Sequence, residues 1–175
     1  MASVIGSRIG WKDKETTVAW PGRSSDRINW NGVDLILSAA HNSESLSHDL
    51  GRLGQERHVL VVGMTQKQDL SETTEPLLLS DCRIQTVVTE VHGGRTPSVP
   101  AGELSKILSG HSEVAPMIIE EPIEAVDGAS RLAIEEGCIV YVTGSVYLVG
   151  RVVGELASRE GGDLWDYLEA HPSRS

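Results

Sequence analysis

Apolar residues fall along this chain in short blocks, and after most blocks they recur at every third or fourth position. VDLILS (33–38), HVLVVGM (58–64), RIQTVVTE (83–90), APMIIEE (115–121) and IVYV (139–142) read as strands. Helical spacing follows at 43–55, at 70–79, in a short piece through Leu104 and Leu108, from Pro122 to Glu136, and from the end of the last strand to about 157. Strands alternating with helices at such intervals predict a mostly parallel, Rossmann-like sheet with helices on both faces. Local chemistry marks the boundaries. Asn31-Gly32, flanked by Ile28, Trp30, Val33 and Leu35, predicts an antiparallel edge hairpin. Asn42 is placed to cap the first helix, and Asp69 with Glu72 gives the next a capping-box-like start. Pro122 suits a first helical turn, and Gly137 suits that helix's C-terminal cap. TTVAW and DRINW are two further short strand candidates around Pro21-Gly22-Arg23. Residues 1–15 read as a linker or ragged start, and the amphipathic DLWDYLEA as a piece packed outside the sheet.

The most informative segment is IVYVTGSVYLVGRVVGEL, residues 139–156. It is a strand, a Thr143-Gly144-Ser145 turn and a helix, so the turn sits at the carboxyl end of a buried strand, where open α/β sheets bind ligands. A second joint of this kind runs from VDLILS through His41-Asn42 into a helix. Amides at a helix N-terminus favour an anionic group, with Gly144 admitting close approach and Ser145 adding a hydroxyl. Ser145 as a plain helix cap is the competing reading. His41 could donate to a carboxylate or to developing negative charge; as a loop histidine bonded to backbone, with Asn42 a cap, it would touch no ligand. Arg23 and Arg95 each suit phosphate or a solvated turn. Gly150 and Gly154, four apart, suggest close helix packing.

Composition narrows the classes. At 175 residues the chain can bury a real core, and with 39% hydrophobic residues, 4% aromatics and no Phe that core must be mainly Val, Ile, Leu and Ala. A net charge of −10 argues against binding nucleic acid through its phosphates. Cys82 and Cys138 lack metal or disulfide spacing and read as buried thiols; no metal site is expected. Without a signal peptide or an apolar run long enough to span a bilayer, the default compartment is the cytoplasm, with no membrane partner. No G-x-x-x-x-G-K-[ST] occurs, so nothing here cradles a triphosphate as a P-loop does.

WPGR (20–23), LILSAAHNSES (35–45), VVGMTQKQD (61–69), VVTEVHGGRTPSVPAGEL (87–104) and VYVTGSVYLVGRVV (140–153) follow one another in order. Together they resemble the C-terminal domain of the folylpolyglutamate synthase/dihydrofolate synthase branch of the Mur ligase superfamily, over roughly residues 16–157. TGSVYLVG is the most specific of these signatures. The resemblance implies an ATP-dependent ligase that adds glutamate to a folate or pteroate carboxylate through an acyl phosphate. It also implies that ATP and Mg are held chiefly by an N-terminal P-loop domain, absent here and supplied in cis or in trans. In that scheme Arg23, and the position occupied by Ser38, would meet the nucleotide. His41 and Ser145 would serve the acceptor-glutamate and phosphoryl side as catalytic residues, with Asn42, Gly144 and Arg95 binding substrate.

The chain departs from that pattern in places. Ser38-Ala39 replaces the family's Asp-Gly, and Ser43 replaces its Pro. Only Asp69 survives of the acids in the 63–69 loop, and Val91-His92 precedes the Gly93-Gly94-Arg95 turn in place of a Pro-Asp. Losing one charge-assisted bond at position 38 would cost roughly 1.5–3 kcal/mol. The expectation is one α/β domain from 16 to 170, inactive alone and completed by a P-loop domain. The rivals are a free-standing, diverged nucleotide- or carboxylate-binding module, and a regulatory subunit.

Overall fold

The computed structural model describes residues 23–111 and 114–162. The candidate strand TTVAW, the start at 1–15 and the DLWDYLEA piece lie outside them. A six-stranded sheet runs in the order β1-β2-β6-β3-β4-β5. Its strands are β1 (Arg23–Trp30), β2 (Val33–Ser38), β3 (His58–Val62), β4 (Arg83–Val88), β5 (Met117–Ile118) and β6 (Ile139–Thr143). Only β1 pairs antiparallel, with β2; every other pairing is parallel. The helices are α1 (Ser43–Leu53), α2 (Leu70–Leu78), α3 (Ala101–Leu108), α4 (Pro122–Glu136) and α5 (Val146–Arg159).

The strands sort their side chains by parity, as a pleated sheet requires. Leu35, Leu37, Val59, Val61, Val140 and Val142 join a core with Ala125, Val126 and Ala129 of α4 and Leu148, Val152 and Val153 of α5. Ile36, Leu60, Val62, Ile139 and Tyr141 face the other way, onto Leu46 of α1, Leu77 of α2 and Leu104 and Leu108 of α3. Helices α1 to α3 therefore carry the chain along one face from β2 out to β5. Helix α4 brings it back across the opposite face to β6, which slots between β2 and β3. Chain segments leave β2 and β3 on one face and β6 on the other, which makes the carboxyl ends of these strands a topological switch point, the place where open α/β sheets bind ligands.

The local signals act as their chemistry dictates. Asn31 (φ 52°) and Gly32 (φ 90°) make the hairpin turn, whose primed geometry needs two left-handed residues. Asn42 caps α1 with a complete capping box through Ser45, and Gly137 closes α4 in the left-handed region. Asp69 accepts from the Glu72 amide at 2.8 Å. Trp30, at the end of β1, is fully buried; its Nε1 donates to Asp127 at 2.7 Å, and the Arg159 guanidinium lies 4.1 Å above its ring.

Three expectations need correction. The fifth strand shrinks to Met117–Ile118, both exposed, because it lies at the sheet edge and pairs only with Val87 and Val88. Gly150 and Gly154 have open space where a Cβ would stand, so they serve no close helix packing. Cys82 and Cys138 are half-buried rather than buried, since both lie at strand starts near the rim of the sheet.

Candidate functional site

The two joints meet at one mouth. The Gly144 amide donates to the Ala40 carbonyl at 3.0 Å, stitching the β6–α5 turn to the β2–α1 loop. Behind this bond the Thr143 hydroxyl lies 3.3 Å from Ser38 Oγ and 3.5 Å from the Ala40 carbonyl. The Gly63 amide donates to the Thr143 carbonyl at 3.4 Å, which brings the end of β3 into the same assembly. Gly144 adopts φ +103°, and a Cβ there would stand 2.6 Å from the Gly63 carbonyl oxygen. The chain leaving β3 thus fills the side of the turn on which any larger residue would carry its Cβ.

Each lip presents its groups differently. His41 is exposed, and its Nδ1–H donates to the Ala39 carbonyl at 3.0 Å. A carbonyl can only accept, so neutral His41 carries its proton on Nδ1 and turns a lone pair outward on Nε2. It therefore donates to a ligand only when protonated; in its neutral form it accepts. Asn42 is exposed, and its side-chain oxygen accepts from the Ser45 amide at 2.9 Å. Ser145 is 3% exposed, and its Oγ accepts from the Tyr147 amide at 3.2 Å. It is thus the N-cap of α5, and the other amides of that first turn lack intrahelical acceptors.

Sequence inspection misses Asp49. The Ser38 hydroxyl is fully buried and donates to Asp49 Oδ2 at 2.5 Å, while its oxygen accepts from the Ala40 amide at 3.2 Å. The other carboxylate oxygen of Asp49 lies 3.1 Å from His48 Nδ1. A carboxylate thus stands beside the position where the family pattern has one, delivered from α1 instead of β2. The Tyr141 hydroxyl is buried below, without a hydrogen bond of good geometry. Burial pushes its pKa up, only partly relieved by the nearby Ser38 and Thr143 hydroxyls.

The arginines are less closely integrated. The backbone of Arg23 pairs with that of Ser38 across the β1–β2 register, and its side chain lies outside what the structure describes. Arg95 is exposed on the β4–α3 loop. That loop is folded back by an isolated bridge between Thr65 and Ser98 and by the Gln66 amide donating to the Pro97 carbonyl at 2.9 Å. A Cβ on Gly94 would come within 3.4 Å of Tyr147, so the loop rests against the first turn of α5.

Comparison with solved structures matches this architecture. A bifunctional folylpolyglutamate synthase/dihydrofolate synthase from Yersinia pestis superposes with a TM-score of 0.60 at 25% identity, over 80% of this chain and 32% of that one. This chain has the fold of a folylpolyglutamate synthase C-terminal domain. The Thermotoga maritima folylpolyglutamate synthase gives a TM-score of 0.65 at 23% identity, over 83% of this chain and 32% of its own. E. coli FolC gives 0.64 at 20% identity, over 91% and 39%. The neighbours agree with the C-terminal domain expected from the motifs, and the chain spans about a third of the length of these synthases. No family model and no curated protein matches the sequence.

The Yersinia synthase was solved with AMPPNP and a Mn ion, and FolC with ADP. No three His, Cys, Asp or Glu side chains among the described residues could hold a metal ion. The Ser38 hydroxyl donates to Asp49 and accepts from the Ala40 amide and the Thr143 hydroxyl. No helix among the described residues is long and apolar enough to cross a membrane.

Proposed function

We propose that this chain is the glutamate-side portion of an ATP-dependent ligase of the folylpolyglutamate/dihydrofolate synthase type. It would be inactive alone and completed, in cis or in trans, by a P-loop domain that carries nucleotide and metal. The observation supporting this reading is the Gly144 to Ala40 bond, which joins the two motif-bearing turns into one mouth on a synthase fold. First-turn amides of α5, with the helix dipole behind them, suit a substrate carboxylate. The outward Nε2 of His41 suits the amine of an incoming amino acid, accepting its proton as nitrogen becomes nucleophilic. The Asn42 NH2 and Arg95 are further donors at the rim. Such a site contributes mainly by holding the amine and carboxylate in fixed relation to the activated acid.

The test combines this chain with the P-loop domain of a folylpolyglutamate synthase and follows ATP-dependent incorporation of labelled glutamate into folate or dihydropteroate. The expected result is no ligation by the chain alone, ligation by the pair, and a KM for glutamate raised about tenfold or more by His41→Ala. Ligation by the chain alone would overturn the dependence on a partner. The burial and full engagement of Ser38 favour a second reading, a non-catalytic carboxylate-binding module. Glutamate binding that never supports turnover, whatever P-loop domain is added, would establish it.

A further inference from the structure

The polar groups around Ser38 form a directed chain, and its direction is fixed from one end. A carboxylate accepts and cannot donate, so at 2.5 Å the Ser38 hydroxyl must spend its hydrogen on Asp49. Both lone pairs of Ser38 Oγ are then free to accept, one from the Ala40 amide at 3.2 Å and one from the Thr143 hydroxyl at 3.3 Å. Ala40 is the residue whose carbonyl takes the Gly144 amide, and His41 is next to it. We infer that Asp49 is a positioning residue: from α1 it sets the orientation of the Ser38 hydroxyl and so fixes the β2–α1 loop against the β6–α5 turn.

Three features support a device at the mouth rather than a general prop. The Asp49 side chain is only 15% exposed, and its carboxylate is held from both sides, one oxygen by the Ser38 hydroxyl and the other 3.1 Å from His48 Nδ1. Its partner Ser38 is completely buried, where a hydroxyl with no fixed acceptor would be costly. The bonds it organises join β2 to β6 at their carboxyl ends only, above the apolar contacts that fasten the same strands lower down. Loss of the carboxylate should therefore loosen the mouth while leaving the sheet intact. This deepens the ligase reading and rests on it for its functional meaning, but its test requires no ligand.

The test is amide hydrogen exchange by NMR on the full chain, comparing wild type with Asp49→Leu and Asp49→Asn. The expected result for Asp49→Leu is exchange of the Ala40 and Gly144 amides faster by about tenfold or more, with Val61 and Val142 at their wild-type rates. Asp49→Asn, which can still accept from Ser38, should recover most of that protection. Unchanged exchange at Gly144 in Asp49→Leu would overturn the proposal. So would acceleration shared equally by Val61 and Val142, because that marks an ordinary stability residue. If Asp49→Leu does not fold, Asp49→Asn decides: wild-type rates in the sheet amides and at Gly144 support the role of the acceptor oxygen, whereas acceleration throughout the sheet overturns it. Because no substrate is involved, failure here leaves glutamate binding standing, and failure to bind glutamate leaves this result standing.

Discussion

The two ends of the sheet solve opposite problems. At the amino ends of β2, β3 and β6 lies a groove of about 850 Å³ lined by Arg27, Asp34, Glu56, Arg57 and Cys138. Its charges are already matched: Arg27 forks onto Glu56 at 2.7 Å and reaches Asp34 at 3.2 Å, and Arg57 meets Glu136 at 3.2 Å. At the carboxyl ends the turns press together until a glycine is needed between them, yet His41 and Asn42 are exposed there, and His41 bonds to the backbone through Nδ1 with Nε2 left over. The groove is self-satisfied, and the mouth has chemistry to offer. Unused donors and acceptors, more than volume, mark where a ligand would be recognised.

Substitutions at the two ends should therefore differ sharply. Gly144→Ala combines a backbone at φ +103° with a Cβ 2.6 Å from the Gly63 carbonyl, so the turn must move. Urea unfolding should show a loss of about 3 kcal/mol, and a loss under 1 kcal/mol would mean that the two ends are equally tolerant. At the amino end Arg27→Ala should cost less than about 1 kcal/mol despite its three short contacts, because the side chain is 47% exposed and solvent screens the pair. A cost rivalling that of Gly144→Ala would erase the contrast.

Smallest at neutral pH is the effect of His58, which lies buried at the start of β3. Desolvation lowers its pKa below the ordinary 6.5; the nearby Arg83 adds to this and the Glu56 carbonyl opposes it. The folded state therefore prefers neutral imidazole, and the unfolded chain binds the extra proton. The resulting stability is complete above about pH 6.5 and is lost progressively as pH falls from there toward the lowered folded value. Thermal unfolding from pH 7.5 to 5 should show this decline, and His58→Leu should flatten it.

Much of this architecture is written locally. The Asn31-Gly32 turn, the Asn42 cap, Pro122 in the first turn of α4 and Gly137 at its end each follow from the conformation or hydrogen bond that the residue type supplies. Strands buried on both faces announce themselves as apolar runs, and β2, β3 and β6 do so. β5 carries the same kind of run, but being at an edge is a property of the assembled sheet and leaves no trace in composition. The pairing of Asp49 with Ser38 was hidden for a related reason. The two residues are eleven apart and meet only after α1 folds back over β2, and an acid on a helix surface gives no sign of which strand it will reach. Gly144 stands out in the sequence as a point of close approach without naming what approaches it. The pattern showed that something must come close, and only the sheet order identifies that neighbour as β3.

The place of β6 carries a consequence for how the chain comes into being. Strands β2 and β3 are formed early in the sequence, yet neither pairs with the other; each pairs with β6, which begins at Ile139. A nascent chain stopped before that point holds two partial sheets, the β1–β2 hairpin and the β3–β4–β5 group, each with an open edge of unpaired amides and carbonyls. Closure waits on contacts roughly a hundred residues apart, the slow and aggregation-exposed kind of folding step. The last strand is thus the keystone of biogenesis, and a ribosome-bound chain released just short of it should be a substrate for chaperones rather than a smaller version of the domain.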